Sequence, residues 1–153
     1  MQTTNGASTE LSSTTRLEPN PANHCFGCGG ANDGGMQLAF AQDNARRRII
    51  GHFVLGERYQ GGGGMVHGGI IATLLDEAMG KVCRFREARA VTAELTVRYL
   101  KPVKVTEEIV VEGWEVEQKG RNLFHAAEIR DSAGQVLATG LGRFVIVSDS
   151  PKV

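Results

Sequence analysis

The stretch that decides the fold is residues 61–85, which read GGGGMVHGGIIATLLDEAMGKVCRF. A glycine-rich loop leads to a histidine and two glycines, and the residues that follow repeat with the period of a helix. Successive helical residues are about 100° apart. This spacing puts one set of apolar side chains on a single broad arc: Ile70, Ile71, Leu74, Leu75, Ala78, Met79, Val82 and Phe85. Such an arc predicts a helix packed against a core.

Two neighbouring carboxylates of this helix occupy different positions. Glu77 lies near the middle of the polar arc, four residues before Lys81, and this spacing predicts a solvated ion pair. Asp76 lies at the border of the apolar arc, where a carboxylate is partly desolvated and can point into a cleft. Asp76 is therefore the candidate catalytic acid or base, with a merely solvated aspartate as the alternative.

The expected start of the helix, His67-Gly68-Gly69, offers a different kind of chemistry. The first N–H groups of a helix have no intrahelical partner, and the helix dipole is positive there. Both features suit a developing negative charge, and glycine lets a substrate approach the main chain. Residues 61–69 match GxGxxG in no register, and no Gly-Lys-Ser/Thr follows. The dinucleotide and P-loop interpretations therefore both fail.

Length and composition indicate a single globular domain. The chain has 153 residues, enough to bury about 70% of its unfolded surface. Seventeen basic and seventeen acidic residues give a net charge of zero, so no global field favours nucleic acid or a membrane as a partner. No apolar run approaches the roughly 18 residues of a membrane-spanning helix, and no signal core is present. We expect a cytoplasmic protein with a flexible leader (residues 1–23), one domain (residues 24–147) and a short tail (residues 148–153).

A Cys-x-x-Cys motif follows the expected leader, at Cys25 and Cys28. A zinc site needs about four ligands, and only His24 and the distant Cys83 are available to complete it. A redox motif requires a following helix in a βαβ setting, whereas residues 29–35 have the composition of a turn. The favoured interpretation is a tight loop whose cysteines pack as small hydrophobic side chains, and no metal is predicted.

Six further segments alternate or have strand composition: residues 36–42, 46–55, 90–103, 107–118, 123–130 and 135–147. In the third, one set (Val91, Ala93, Leu95, Val97 and Tyr99) alternates with a second set (Thr92, Glu94, Thr96 and Arg98). Short turns between consecutive strands predict antiparallel pairing, because a parallel connection needs a crossover of about a dozen residues. The predicted class is α+β: two strands, one long helix and four strands, with one antiparallel sheet wrapped around the central helix.

Several motifs agree with a known family in spacing as well as identity. They are Cys25-Phe26-Gly27-Cys28-Gly29 followed by Met36, Leu38 and Phe40, then His67-Gly68-Gly69 with Asp76 nine residues after His67, Thr92 to Tyr99, Lys101-Pro102-Val103, Gly120-Arg121, and Gly140 to Phe144. Over residues 24–147 the sequence resembles the hotdog-fold thioesterases, specifically the phenylacetate-pathway (PaaI-like) branch and its mammalian thioesterase-superfamily relatives.

The resemblance implies hydrolysis of acyl-coenzyme A thioesters, with roles carried over by position. Asp76 would be the general base or nucleophile, and the Gly68 N–H would polarise the thioester carbonyl. His67 would orient the substrate or the loop, and Thr92 would hold the attacking water. A positioned base contributes about 10²–10⁴-fold and an oxyanion donor about 10²–10³-fold to the rate.

The resemblance also implies how substrate and subunits assemble. Gly69 and Arg121 would bind the substrate, with Arg121 near the phosphates of coenzyme A. No cofactor is implied beyond the coenzyme A of the substrate. The family forms homodimers with sheets joined edge to edge, often as dimers of dimers, and both subunits contribute catalytic groups. One position departs from several relatives, which carry Asn or Gln in the loop where this chain has Gly61–Gly64; Gln60 is the candidate substitute.

Two other functions remain as alternatives. A hotdog hydratase or dehydratase would carry a His-Phe-Pro-Gly segment or an Asp/His pair on one loop, and neither is present. A non-enzymatic acyl-CoA-binding module would keep the pocket without needing the acid, and the retention of Asp76 at the family spacing argues modestly against it.

Overall fold

The computed structural model describes residues 13–148. Within this range the chain forms a seven-stranded antiparallel sheet and one long helix. The strands are β1 (Thr14–Leu17), β2 (Phe40–Asp43), β3 (Arg48–Val54), β4 (Arg89–Tyr99), β5 (Glu108–Lys119), β6 (Asn122–Asp131) and β7 (Val136–Ser148), and the helix is α1 (Gly68–Val82). Short 3-10 turns occupy Glu57–Tyr59 and Cys83–Arg86. The predicted α+β class, a sheet around one central helix, is confirmed.

The strands lie in the order β1-β2-β3-β5-β6-β7-β4. Strands β5, β6 and β7 are joined by short turns and pair antiparallel, as the turn lengths predict. Strand β4 pairs with β7 along one side only. Among the described residues no strand covers its other side, so β4 is an edge strand of eleven residues.

The concave face of the sheet packs against the apolar arc of α1. Six of the eight residues of that arc are buried: Ile71, Leu74, Leu75, Ala78, Met79 and Val82. The helix approaches the sheet closely at Gly113 of β5, where an added Cβ would lie 3.0 Å from the Ala78 backbone. A side chain there would force the helix off the sheet, so the glycine sets the layer distance.

The N-terminal part of the chain differs from the prediction. Residues 14–17 were expected to belong to a flexible leader, but they form β1 and pair with β2, with Leu17 opposite Phe40. The leader prediction is wrong for these residues, because Leu17 packs against the core and the strand covers an edge that β2 would otherwise expose. Residues 1–12 and 149–153, which contain the first half of the predicted leader and most of the tail, lie outside the described residues.

Three predicted strands are shorter in the structure, and the least altered of them, 46–55, is observed as Arg48–Val54. The segment 36–42 becomes extended only at Phe40, because Gln37 has a φ of 48°, which a regular strand does not adopt. The segment 90–103 ends at Tyr99, where the N–H groups of the next two residues both turn to the Leu137 carbonyl. No helix within residues 13–148 is long and apolar enough to cross a membrane.

Candidate active site

Asp76 and Thr92 meet where the middle of α1 faces the start of β4. The Thr92 hydroxyl donates to Asp76 Oδ1 over 2.8 Å. Asp76 is half-buried, and burial raises the pKa of its carboxyl, with the Thr92 hydrogen bond opposing the shift and the Glu77 charge adding to it. The net effect is a carboxylate that binds a proton more readily than a solvated aspartate, which suits a general base.

A β-bulge brings Thr92 to the helix. Ala93 has no partner in the ladder between β4 and β7, while Thr92 pairs with Phe144 and Glu94 with Arg143. Strict alternation would place Thr92 and Leu95 on opposite faces of the sheet. This expectation is wrong, because the extra residue Ala93 moves the Thr92 side chain to the face that carries Leu95. Both Thr92 and Leu95 therefore face α1.

The Asp76–Thr92 pair lies in an open cleft of about 710 Å³. One wall is the polar side of α1 and the other is the start of β4. The N-terminal segment closes one side of the cleft and contributes Arg16, Leu17, Glu18, Asn20, Asn23 and Cys28. A reacting group at Asp76 is thus accessible from solvent while its carboxylate is partly shielded.

The first turn of α1 leaves one main-chain N–H group without an acceptor among the described residues. His67 is the N-cap, and its Nδ1 accepts from the Gly69 N–H over 2.9 Å. This cap occupies the Gly69 donor, whereas the Gly68 N–H has no acceptor among the described residues. His67 therefore acts in the structure as a helix cap, and Gly68 rather than Gly69 presents the free N–H group.

Tyr99 holds this turn in place from the far end of β4. Its hydroxyl donates to the Gly68 carbonyl over 2.9 Å. A second cleft of about 380 Å³ surrounds the contact, with Gly68, Ile71 and Tyr99 among its lining residues. Tyr99 belonged to the motif that matched the family, but only the fold reveals that its hydroxyl reaches the helix start.

The two halves of the predicted site do not meet within one chain. Gly68 and Asp76 are eight residues apart on a continuous helix, which separates them by about 12 Å along the axis at 1.5 Å per residue. An oxyanion donor and a base that act on one carbonyl must both lie within about 3 Å of the reacting atoms. One chain therefore carries two separate candidate half-sites, one at each end of β4.

Arg121 and Gln60 lie outside both clefts. The Arg121 guanidinium donates through Nε (3.0 Å) and Nη2 (2.6 Å) to the Ile146 carbonyl. These bonds clamp the β5–β6 turn onto the end of β7. Gln60 forms a bridge with Val66 at the base of the glycine-rich loop, next to His67. The structure brings neither residue to Asp76 or Gly68.

Glu77 is not the solvated residue that its helical position predicted. It pairs with Lys81 over 3.7 Å as expected, but its side chain is only 16% exposed. The loop that carries the Cys-x-x-Cys motif covers it, and the Cys25 thiol donates to Glu77 Oε1 over 3.6 Å. Burial beside this carboxylate raises the pKa of Cys28 to about 12. The prediction of a solvent-facing pair is wrong because a segment 52 residues away in sequence covers the helix here.

Comparisons with known proteins agree with this fold. The family described as the Thioesterase superfamily matches residues 63–138, which include both half-sites. Acyl-coenzyme A thioesterase THEM4 from Rattus norvegicus is 34% identical over 118 residues, which are 77% of this chain and 51% of the relative. The chain thus spans about half the length of this curated relative.

Solved structures give the same result for the fold. A crystal structure of a thioesterase superfamily protein superimposes with a TM-score of 0.74 at 30% identity, covering 80% of this chain and 60% of that chain. A Streptococcus mutans protein, solved with acetyl-CoA bound, has a TM-score of 0.65 at 21% identity and covers 68% of this chain and 84% of its own.

An antiparallel sheet wrapped around one long helix is the fold that this chain shares with these solved structures. The chain belongs to the hotdog-fold thioesterase superfamily, and the resemblance noted in the sequence is confirmed.

Proposed function

We propose that the protein hydrolyses acyl-coenzyme A thioesters to a free acid and coenzyme A. The observation that carries this proposal is the half-buried Asp76 carboxylate, which is fixed by the Thr92 hydroxyl and open to a cleft. The name of the THEM4 relative and the acetyl-CoA bound to the Streptococcus mutans protein support coenzyme A thioesters as the substrate class.

The chemistry follows from the groups present. Asp76 accepts a proton from water as the water attacks the thioester carbonyl. Because the Thr92 hydroxyl donates its hydrogen bond to Asp76, its oxygen is free to accept a hydrogen bond from that water. The tetrahedral intermediate then expels the thiolate, which needs less protonation than an amine would. Direct attack by Asp76 would use the same carboxylate as the nucleophile.

A second copy of the chain completes the site in this proposal. The exposed edge of β4 carries Thr92 near its start, beside Asp76, and Tyr99 at its end, beside Gly68. Two β4 strands that pair antiparallel about a central two-fold axis set Thr92 of one copy near Tyr99 of the other. The acid of one copy then approaches the Gly68 N–H of the other, and Val91 and Tyr99, which are 51% and 55% exposed, are covered.

The activity is tested with a panel of aliphatic and aromatic acyl-CoAs, following release of free thiol. We expect at least one member to be hydrolysed by the wild type, with Asp76→Asn strongly impaired. An exposed loop carboxylate, Asp33, provides the matched control Asp33→Asn, which should retain wild-type rates. If the panel is bound but not hydrolysed, the protein is an acyl-CoA-binding module and the proposal is wrong.

The composite site is tested by mixing two inactive variants. Gly68→Pro removes the N–H without breaking the helix, since proline suits the first helical position and His67 already has the extended ψ of 137° that proline requires before it. Random mixing of Gly68→Pro with Asp76→Asn leaves roughly a quarter of the sites intact if each site uses both copies. We expect that fraction of activity to return, with a dimer or larger assembly in light scattering.

No recovery from folded, mixed dimers would place the acid and the donor of each site in one chain and overturn the composite arrangement. A cytoplasmic location, a dimer of dimers, the absence of nucleic-acid or membrane partners and the absence of a cofactor beyond substrate coenzyme A stay predictions.

A further inference from the structure

The Cys-x-x-Cys loop and α1 bring three metal-binding side chains together. The ligand atoms of Cys25, Cys28 and Glu77 all lie within 4.8 Å of one another. Cys25 Sγ is 3.6 Å from Glu77 Oε1. The cluster joins two segments that are 52 positions apart in sequence, so the fold rather than the motif alone creates it.

These separations are close to those of a tetrahedral site. Zinc binds thiolate sulfur at about 2.3 Å and carboxylate oxygen at about 2.0–2.2 Å. Tetrahedral angles then set two sulfurs about 3.8 Å apart and sulfur and oxygen about 3.5–3.7 Å apart. The observed sulfur–oxygen distance of 3.6 Å falls in that range, and all three ligand atoms lie within 4.8 Å of one another.

The loop is held in shape by its own hydrogen bonds. The Gly29 N–H donates to the Cys25 carbonyl over 2.9 Å, and the Cys25 N–H donates to Asn23 Oδ1 over 2.8 Å. Glycine at position 27 lets Glu77 enter the loop, because an added Cβ would lie 2.4 Å from Glu77 Oε1. Two of the three donors are thus fixed by a two-residue spacing that is common in zinc sites, and the third fits into a gap that only glycine leaves.

The charges around the cluster favour a divalent cation. Lys81 Nζ lies 3.7 Å from Glu77 Oε2, which leaves Oε1 turned toward the sulfurs. Two thiolates, one carboxylate, one ammonium and one divalent cation sum to zero charge, so a half-buried site of this composition is electrically balanced. Binding of the cation as thiolates would release the thiol protons to solvent.

We propose that Cys25, Cys28 and Glu77 bind one divalent cation that prefers thiolate ligands, of which Zn²⁺ is the expected example. Cys28 and Glu77 line the same cleft as Asp76, so the fourth coordination position is open to water or a ligand from that cleft. His24 and Cys83, which the sequence offered as the residues to complete a zinc site, lie outside the cluster, and His24 is exposed. The proposal concerns a site beside the catalytic one and does not depend on thioesterase activity.

The test is a titration of the reduced, metal-free, full-length protein with Co²⁺, a spectroscopic substitute for Zn²⁺. We expect saturation at one equivalent per chain, with the intense near-ultraviolet absorption of thiolate-to-cobalt charge transfer, and displacement by Zn²⁺. Cys28→Ser and Glu77→Gln should weaken binding by about 100-fold or more, since loss of even an outer-shell partner costs 10- to 100-fold. The buried cysteine outside the cluster provides the control: Cys83→Ala should keep the absorption and the affinity.

Circular dichroism of each variant separates loss of the site from loss of the fold. Glu77→Gln is the decisive variant, because it keeps the size of the side chain and one acceptor oxygen while removing its charge. The proposal is overturned if the reduced wild type binds neither ion, if bound Co²⁺ shows no thiolate absorption, or if Cys83→Ala loses affinity as much as Cys28→Ser does. A mass two daltons lower without reductant, together with no metal binding after reduction, would assign the pair to a disulfide instead.

Discussion

The two half-sites on α1 are built in opposite ways. At the helix start, the Gly68 N–H belongs to the main chain, and the helix itself fixes its direction. Two turns later, Asp76 is a side chain whose position depends on Thr92 of another strand. Under the proposed function, one helix supplies a donor that needs no side chain and a base that depends on its neighbours. Mutations should therefore affect the two half-sites differently.

The largest effect is expected at the acid. Asp76→Asn keeps the size of the side chain and an oxygen that accepts from Thr92, but it removes the base. We expect kcat to fall by about 100- to 10,000-fold, the range for a positioned general base. The measurement is the steady-state rate of Asp76→Asn, compared with that of the control variant Asp33→Asn. Equal rates for the two variants would move the catalytic base away from α1.

The same variant should be more stable than the wild type at neutral pH. Burial raises the pKa of Asp76, so the folded chain favours its protonated form. Such a group contributes fully below its unfolded pKa, and this contribution is lost as the pH rises through its folded pKa. Asp76→Asn should therefore unfold at a higher temperature at pH 7, with the difference disappearing in acid. A lower melting temperature for Asp76→Asn than for the wild type at pH 7 would contradict the expected direction of this effect.

A slightly smaller effect is expected at the helix start. Gly68→Pro should lower kcat by about 100- to 1,000-fold, because it deletes the donor to the developing oxyanion. Gly68→Ala retains the N–H, and its new methyl group would meet the Tyr99 ring at an ordinary 3.5 Å. If Gly68→Ala keeps near wild-type rates while Gly68→Pro is inactive, the effect is assigned to the loss of the N–H group. Equal loss in both variants would indicate crowding of the cleft.

The hydroxyl beside the acid should have a moderate effect with a recognisable pH signature. Thr92→Val keeps the β-branched shape and removes the bond that lowers the pKa of Asp76. We expect kcat to fall roughly tenfold, a typical cost for a hydrogen bond to a charged group. The acid limb of the kcat/KM profile should also move to higher pH. An unmoved limb would show that this carboxylate does not control the rate.

The smallest expected effect is at the helix cap. His67→Ala removes the acceptor for the Gly69 N–H and should cost about 1 kcal/mol, or roughly 2–4 °C in Tm for a chain of this size. His67→Asn supplies another side-chain acceptor at the same position and should restore most of that stability. Thermal unfolding of the three proteins distinguishes a capping role from a role only in substrate binding, for which all three would melt together.

Most of the fold could be predicted from the sequence, because the spacing of hydrophobic residues indicates which side chains are buried. The apolar arc of α1 and the turns between β5, β6 and β7 lie in local sequence, and the helical border position of Asp76 marked it as half-buried. Packing between segments that are far apart in the sequence could not be predicted in this way. Glu77 looks solvated on its own helix, and only the loop around Cys25 and Cys28 shows that it is covered. Likewise, β1 gains its order from β2, 23 or more residues away.

The bulge at Ala93 has an evolutionary consequence. The facing of Thr92 depends on how many residues lie between it and the regular part of β4, and not only on which residues they are. Deletion of the single codon for Ala93 would place Thr92 two positions before Leu95, and regular alternation would then keep both side chains on the α1 face without a bulge. A relative that lacks the bulge therefore needs one residue fewer here, and alignments of relatives are best judged by whether a gap at this position accompanies the loss of the bulge.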